Sequence, residues 1–380
     1  MPDLPAPAAE SRTREFLLRL LDAPGPSGFE SAAAAQWRSI ADEFASETWV
    51  DSLGNSFAAC GPENAPVVML AGHIDEIGLM VHHIDDDGFL FVSPVGGWDT
   101  QVLVGQRVEF LSSAAAPGPA APESGVTGVV GRRAIHLLDP DERKKAVSFK
   151  DLWVDIGVSS GDEAREAVAV GDVGVVRSDT LHLGQGRIAG RSVDDRAGAT
   201  VALEALRRAA DAGLESVRAV AVATTREEIG LNSGGGARPS AFRLAPRAAV
   251  AIDVTHATDH PKSDKARFGD VKLGGGPVLS RGSNLDAHLT NALADAAREG
   301  GLEVQWQASA GPSWTDADSI FTVAGGVATA LISVPNRYMH SPNQMIDLED
   351  LEGAASLLAK YLTLASFDGA ERSPPRTARG

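Results

Sequence analysis

Four nearly unbroken apolar runs, Val67 to Ala71, Val217 to Ala223, Ala248 to Ile252 and Val327 to Val334, constrain this chain more than any other feature. A strand with one wet face alternates polar and apolar residues, whereas a run without alternation is covered on both faces, as in a parallel sheet flanked by helices. Segments of helical periodicity lie between and around these runs. Phe16, Leu17, Leu20 and Leu21 share one face of Ser11 to Asp22, and Glu30 to Phe44, Ala199 to Ala210 and Leu285 to Arg298 repeat the pattern. Asp347 caps a last helix from Leu348 to about Leu364. The expected fold is α/β: an α/β/α sandwich around a mixed, mainly parallel central sheet.

The carboxyl ends of such strands line the ligand crevice of open α/β sheets. Here they deliver chemistry. The first run leads into Gly72-His73-Ile74-Asp75-Glu76, the second into Thr224-Thr225-Arg226-Glu227-Glu228, the third into Asp253, and the fourth exits toward Tyr338-Met339-His340. Asp194 and Asp195 stand where a short extended run, Leu183 to Ile188, hands over to a helix. One aspartate there reads as a helix cap; two in succession, facing the other carboxylates, call for more. Converging carboxylates repel, and a multivalent cation turns that repulsion into ligand bonds. His73, Asp194, Glu228, Asp253 and His340 form an N/O set suited to two divalent ions such as zinc, cobalt or manganese. Asp194 can bridge them, and adjacent Glu227 and Glu228 point different ways, so that one ligates while its neighbour faces water. The other seven histidines are assigned structural roles.

Composition narrows the partners. With 380 residues the chain accommodates two domains, and a formal charge of −17 argues against nucleic acid and anionic membranes. Cys60 is the single cysteine, which suits a reducing compartment, and Met1 to Arg12 lacks the apolar core of a secretory signal; the expectation is a cytoplasmic protein. From about Leu79 to Val176 the chain switches to short alternating strands broken by Gly and Asp, which reads as a small β-barrel-like domain (77–179) inserted into a discontinuous catalytic domain (1–76 and 180–380). Ser112 to Ser124 reads as a mobile loop in the insert, and 371–380 as a disordered tail. The acidic triplet Asp85 to Asp87 is a solvated hairpin tip, because three consecutive side chains cannot all face one ion.

Six segments in this order resemble the metallopeptidases of family forty-two, which include the tetrahedral and glutamyl aminopeptidases: Gly25 to Glu30, His73 to Gly78, Asp194 to Gly198, Glu227 to Gly230, Ala251 to Thr255 and His340 to Pro342. The resemblance covers nearly the whole chain. It implies His73 and Asp253 on one metal, Glu228 and His340 on the other, and Asp194 bridging both, often with a cis peptide after it. It further implies Glu227 as general base toward a metal-bridging water, Asp75 as the residue orienting His73, and Asp195 as a structural partner. The implied activity is removal of N-terminal residues from short peptides. The implied assembly is a homo-oligomer, a tetrahedral dodecamer in the family, built through the inserted domain.

Three other readings use the same residues. A deacylase or carboxypeptidase would need a carboxylate pocket, for which Arg226, Arg281 and Arg337 are candidates. A glucanase would use two carboxylates but leaves both strand-end histidines unexplained. A non-catalytic shell protein would have no need of a complete ligand and base set.

Overall fold

The computed structural model describes residues 12–111, 125–184, 186–230 and 234–367. The expectations for Ser112 to Ser124 and for 371–380 lie outside them. Seventeen strands follow in chain order: β1 Glu47–Val50, β2 Ser56–Cys60, β3 Val67–His73, β4 Gly78–Ile84, β5 Leu90–Val95, β6 Arg107–Leu111, β7 Val126–Arg132, β8 Leu152–Asp155, β9 Val173–Val176, β10 Leu181–Leu183, β11 Arg187–Gly190, β12 Arg218–Thr224, β13 Ala248–His256, β14 Val278–Gly282, β15 Gln305–Ser309, β16 Ala328–Asn336 and β17 Gln344–Asp347. Eight form the main sheet in the order β1-β2-β12-β3-β13-β16-β14-β15. Its centre, β12-β3-β13-β16, is parallel throughout, and these are the four apolar runs. Antiparallel pairs at β1-β2, β2-β12 and β14-β16 make the sheet mixed.

Both faces of this sheet are covered, which is why its central strands do not alternate. Helices Arg12–Asp22, Ser31–Ala41, Val193–Ala212, Ala287–Glu299 and Leu348–Leu364 bury Leu17, Trp37, Leu203, Leu293 and Leu358 with one face of the sheet in the largest core. On the other face, Ala237–Leu244 and the turn at Ile320 pack over Met69, Val220 and Ala249. Strands β4 to β9 close into a separate barrel, order β4-β5-β8-β7-β6-β9, around Leu79, Leu90, Val108, Phe110 and Val154. The barrel leaves the sheet directly after β3. The triplet Asp85 to Asp87 is a hairpin tip, where Asp85 accepts hydrogen bonds from the Asp87 and Phe89 amides.

Several boundaries differ from the sequence reading, three of them as follows. Leu183 to Ile188 is not one extended run: Gly184 and Gly186, both at positive φ, turn the chain so that β10 pairs back on β11. Strand β13 does not end at Ile252 but continues to His256, because β16 pairs with it residue by residue as far as Asn336. The second helix ends at Ala41 rather than Phe44.

The approach of β3 to helix Val193–Ala212 sets the whole site. A Cβ at Gly72 would lie 2.5 Å from the Ala199 nitrogen, and one at Gly198 would lie 2.4 Å from an Asp195 carboxylate oxygen. Only glycine permits this contact. Gly72→Ala is expected to destabilise the fold by about 3 kcal/mol, since backbone rather than a movable side chain must yield. A drop of several degrees in melting temperature checks it; an unchanged melting temperature would refute it.

Candidate active site

The parallel centre brings the strand ends to one place. His73 and Thr224 are register partners at the ends of β3 and β12, while Asp253 lies near the end of β13. His73 Nε2 is 3.1 Å from Asp194 Oδ1, and the second Asp194 oxygen lies 3.4 Å from His340 Nε2. The same His340 nitrogen is 3.4 Å from Glu228 Oε2. Asp194 thus stands between the two imidazoles with one oxygen toward each. Glu227 Oε2 is 3.9 Å from His73 Nε2. All seven residues named from the sequence meet in one cluster.

Among the described residues, two groups have donor atoms within 4.8 Å of one another: His73 with Asp194 and Glu228, and His73 with Asp195 and Asp253. The second includes Asp195 in place of Asp194. Both Asp195 oxygens, however, are already engaged, one by the His73 amide at 3.1 Å and the other by the Gly198 amide at 2.9 Å. The peptide bond between Asp194 and Asp195 is cis, and the Gln344 side chain accepts from the Asp194 amide at 2.7 Å.

Asp75 is fully buried and serves two sides. Its carboxylate lies 3.5 Å from His73 Nδ1, whose second contact is the Asp75 carbonyl at 3.2 Å. Its two oxygens also accept the Glu227 and Glu228 amides, each at 3.1 Å. Asp75 therefore fixes one imidazole and the turn that carries both glutamates. Further residues in this scaffold were given no role in the sequence reading. Buried Glu30 accepts from the Arg226 amide at 3.1 Å, Asn55 accepts from the Thr225 amide at 2.9 Å, and Asp316 accepts from the Thr224 hydroxyl. Their partners lie far away in the chain, so no local pattern could reveal them. Ser192, Arg226, Tyr338 and His340 adopt positive φ beside the site residues, as backbone held by its surroundings does at functional sites.

The electrostatics describe a cluster in need of positive charge. Burial alone would lower the imidazole pKa values, but Asp194 and Asp75 hold His73 well above its ordinary value, and Asp194 and Glu228 push His340 up to about 11. Burial raises Glu227, Glu228 and Asp253, each further raised by neighbouring carboxylates. Burial opposes the ionisation of Asp194 too, yet His340 and His73 outweigh it and hold that group low. Protons on the imidazoles stand where divalent cations would serve better. Glu227 Oε1 and Glu228 Oε1 are buried without a hydrogen-bond partner among the described residues, an arrangement that fits ligand or water positions. The donor set, imidazole nitrogen and carboxylate oxygen, is that of zinc, cobalt and manganese.

The barrel reaches this cluster through the loop after β5. A Cβ on Gly97 would lie 3.2 Å from His340 Nδ1, and one on Gly96 would lie 3.3 Å from Glu228 Oε2. Of the three arginines considered for a carboxylate pocket, one is ion-paired and the other two have contacts of their own. Arg337 pairs with Asp259 at 2.7 Å, Arg281 lies 4.1 Å over the Trp306 ring, and Arg226 donates to the Leu53 carbonyl at 2.6 Å.

A sandwich with a buried imidazole and carboxylate cluster at its strand ends defines a metallohydrolase architecture. Residues 54–357 match the family model described as M42 glutamyl aminopeptidase, and the chain belongs to that family. It is 33% identical over 352 residues to a lysyl aminopeptidase of Pyrococcus furiosus, covering 92% of this chain and 96% of the relative. Among solved structures it is similar to a TET aminopeptidase from the marine sediment archaeon Thaumarchaeota archaeon SCGC AB-539-E09, with TM-score 0.85, 31% identity, and coverage of 93% and 96%. It is also similar to the Pyrococcus horikoshii TET1 peptidase, which can assemble into a tetrahedron or a large octahedral shell, with TM-score 0.78, 29% identity, and coverage of 92% and 98%. The protein is a hydrolase acting on peptides, of an aminopeptidase family that implies divalent metals. Among the described residues, no helix is long and apolar enough to cross a membrane.

The raised groups make a pH prediction. His73, His340, Glu227, Glu228 and Asp253 all hold protons more tightly folded than unfolded. The imidazole contribution to metal-free stability is complete below about pH 6.5, the unfolded value, and is lost as pH rises toward the folded values. The melting temperature of chelated protein is therefore expected to fall between pH 6.5 and 9, and added zinc to raise it more at pH 9 than at pH 6.5. Equal zinc stabilisation at both values would contradict this.

Proposed function

We propose that the protein is a di-metal aminopeptidase that removes N-terminal residues from short peptides. The observation that carries the reading is Asp194, buried with one oxygen toward His73 and the other toward His340, the disposition of a carboxylate bridging two ions. His73 and Asp253 would hold one ion and Glu228 and His340 the other, with zinc favoured and cobalt or manganese compatible. Two such ions, when bound, supply Lewis acidity toward the scissile carbonyl and make water acidic enough to attack at neutral pH.

The chain's own residues do the rest. Glu227 is held on the one-turn helix Glu227–Gly230 by the Asp75 carboxylate, with one oxygen unpartnered. It takes a proton from the attacking water and delivers it to the leaving amine. Asp75 keeps the His73 ring oriented, which raises ligand basicity. Asp195 caps the helix start and ties it to β3. The pairing of Arg337 with Asp259 removes that arginine as a carboxylate pocket.

We assign 1–76 and 180–380 to the catalytic domain and 77–179 to the barrel, which would serve subunit contact and access. A homo-oligomer, dodecameric in its fullest form, fits the assembly named for the Pyrococcus horikoshii relative. A net charge of −17 fits a cytoplasmic enzyme with neither nucleic acid nor membrane as partner.

Chelated protein assayed on free-amine and N-acetylated aminoacyl-p-nitroanilides, before and after zinc, cobalt or manganese, tests the activity. Metal-restored cleavage confined to free amines is expected; cleavage of the acetylated set instead would replace the reading with a deacylase. Glu227→Gln is expected to keep its metal and lose about 10²–10⁴-fold in turnover, whereas Asp194→Ala loses metal by elemental analysis. Asp75→Asn, which cannot accept both glutamate amides, is expected to lower activity or metal affinity about 10–100-fold.

A further inference from the structure

Between the end of β7 and the start of β8 the chain reverses its charge. Residues 132–150 carry six lysines or arginines against three acids, in a protein whose formal charge is −17. Two short turns of 3-10 helix, Ile135–Leu137 and Glu142–Lys144, shape the stretch, and Leu138 between them is buried while Ile135 stays exposed. Across from them runs the Val104–Gly105 turn, tied to β7 by the Gly105 amide, which donates to the Val130 carbonyl at 2.9 Å. These segments enclose a cavity of about 500 Å³. That volume lies within the range of roughly 300–1,000 Å³ in which small ligands bind.

Arg132, Arg133, Arg143 and Lys145 line the cavity, and no acidic residue does so among the described residues. The rest of the lining is largely apolar, with Val104, Val130, Ile135 and Leu138. Two of the cations are anchored by the fold: Arg133 pairs with Glu142, and Arg143 Nε donates to the Leu138 carbonyl at 3.0 Å. A guanidinium has five N–H donors, so each anchored arginine keeps others for a ligand. The Arg132 and Lys145 side chains make no hydrogen bond or ion pair among the described residues. Asp151 acts on Arg132, and Glu142 on Lys145, only at longer range. A cleft lined by one sign of charge beside apolar walls concentrates ions of the opposite sign, and arginine forks match the oxygens of carboxylates and phosphates.

This cavity is distinct from the metal cluster, none of whose residues lines it. In the six-stranded ring, β7 stands opposite β4, the strand that follows the His73 segment. We propose that the cavity binds a small organic anion, a carboxylate or phosphate head among the four cations with a short apolar body against Ile135 and Leu138. The inference is independent of the aminopeptidase reading.

Isothermal titration of the full-length, assembled protein with hexanoate and hexyl phosphate, and with hexanol and hexylamine for comparison, tests it. Saturable binding of an anion is expected, weakening severalfold between about 50 and 500 mM salt, with neither hexanol nor hexylamine bound. Tighter hexyl phosphate marks the head as a phosphate and tighter hexanoate as a carboxylate; either supports the site. Arg132→Gln combined with Lys145→Gln should weaken the anion about tenfold at an unchanged melting temperature, whereas Lys150→Gln, outside the lining, should leave it unaltered. An affinity unchanged in the double variant would place the anion elsewhere, the metal cluster included, and overturn the site. Hexanol bound as well as hexanoate, binding indifferent to salt, or no binding of either anion up to about 10 mM would overturn it too.

Discussion

Burial of like charges at one end of a parallel sheet is the constraint on which the rest of this structure depends. Asp75, Asp194, Asp195, Glu227 and Asp253 are all nearly inaccessible to water and gathered around two imidazoles. Ionised carboxylates in that environment are costly unless paired, hydrogen-bonded or neutralised by a cation. The protein uses all three means, on different residues. Asp75 and Asp195 are saturated by backbone amides and act as framework. Asp194 is shared between His73 and His340, and Glu227 and Glu228 each keep one oxygen without a partner among the described residues. That division separates groups already committed to the fold from groups available to a metal or a substrate.

The framework is built by long-range contacts of short polar side chains. Asp75 joins the end of β3 to the glutamate turn after β12, and Glu30 and Asn55 hold the residues just before that turn. Gln344 holds the Asp194 amide from the far side. Glu76, beside Asp75, accepts from the Gly25 amide and pairs with Arg191 and with Arg196, which is wholly buried. The loop after the first helix, the strand end and the start of helix Val193–Ala212 are thus locked to each other. Such over-determination can maintain the positive φ values of Ser192, Arg226 and His340.

Access is governed by elements outside the sandwich core. The barrel brings Gly96 and Gly97 against Glu228 and His340, so the insertion borders the site. From the opposite direction, the strap between β15 and Ala317–Ile320 is fastened at Thr255 and at Thr224. Barrel and strap both contact residues around the cluster.

The sequence by itself determined the architecture and which polar residues gather at the strand ends. The four apolar runs without alternation could only be covered strands, and the polar residues at their carboxyl ends had to converge once those strands ran parallel. Periodicity and strand-end placement are local properties, so they are legible in one dimension. The tertiary structure alone decided how these residues divide their work: that Asp195 spends both oxygens on the His73 and Gly198 amides, that Asp75 fastens both glutamates, and that the loop before Ala317–Ile320 is tied to Thr224 through Asp316. Each of those facts depends on a partner more than a hundred residues away or on the packing of a whole loop. Hydrogen-bond geometry between such distant segments exists only after the chain has folded, and no spacing along the sequence encodes it.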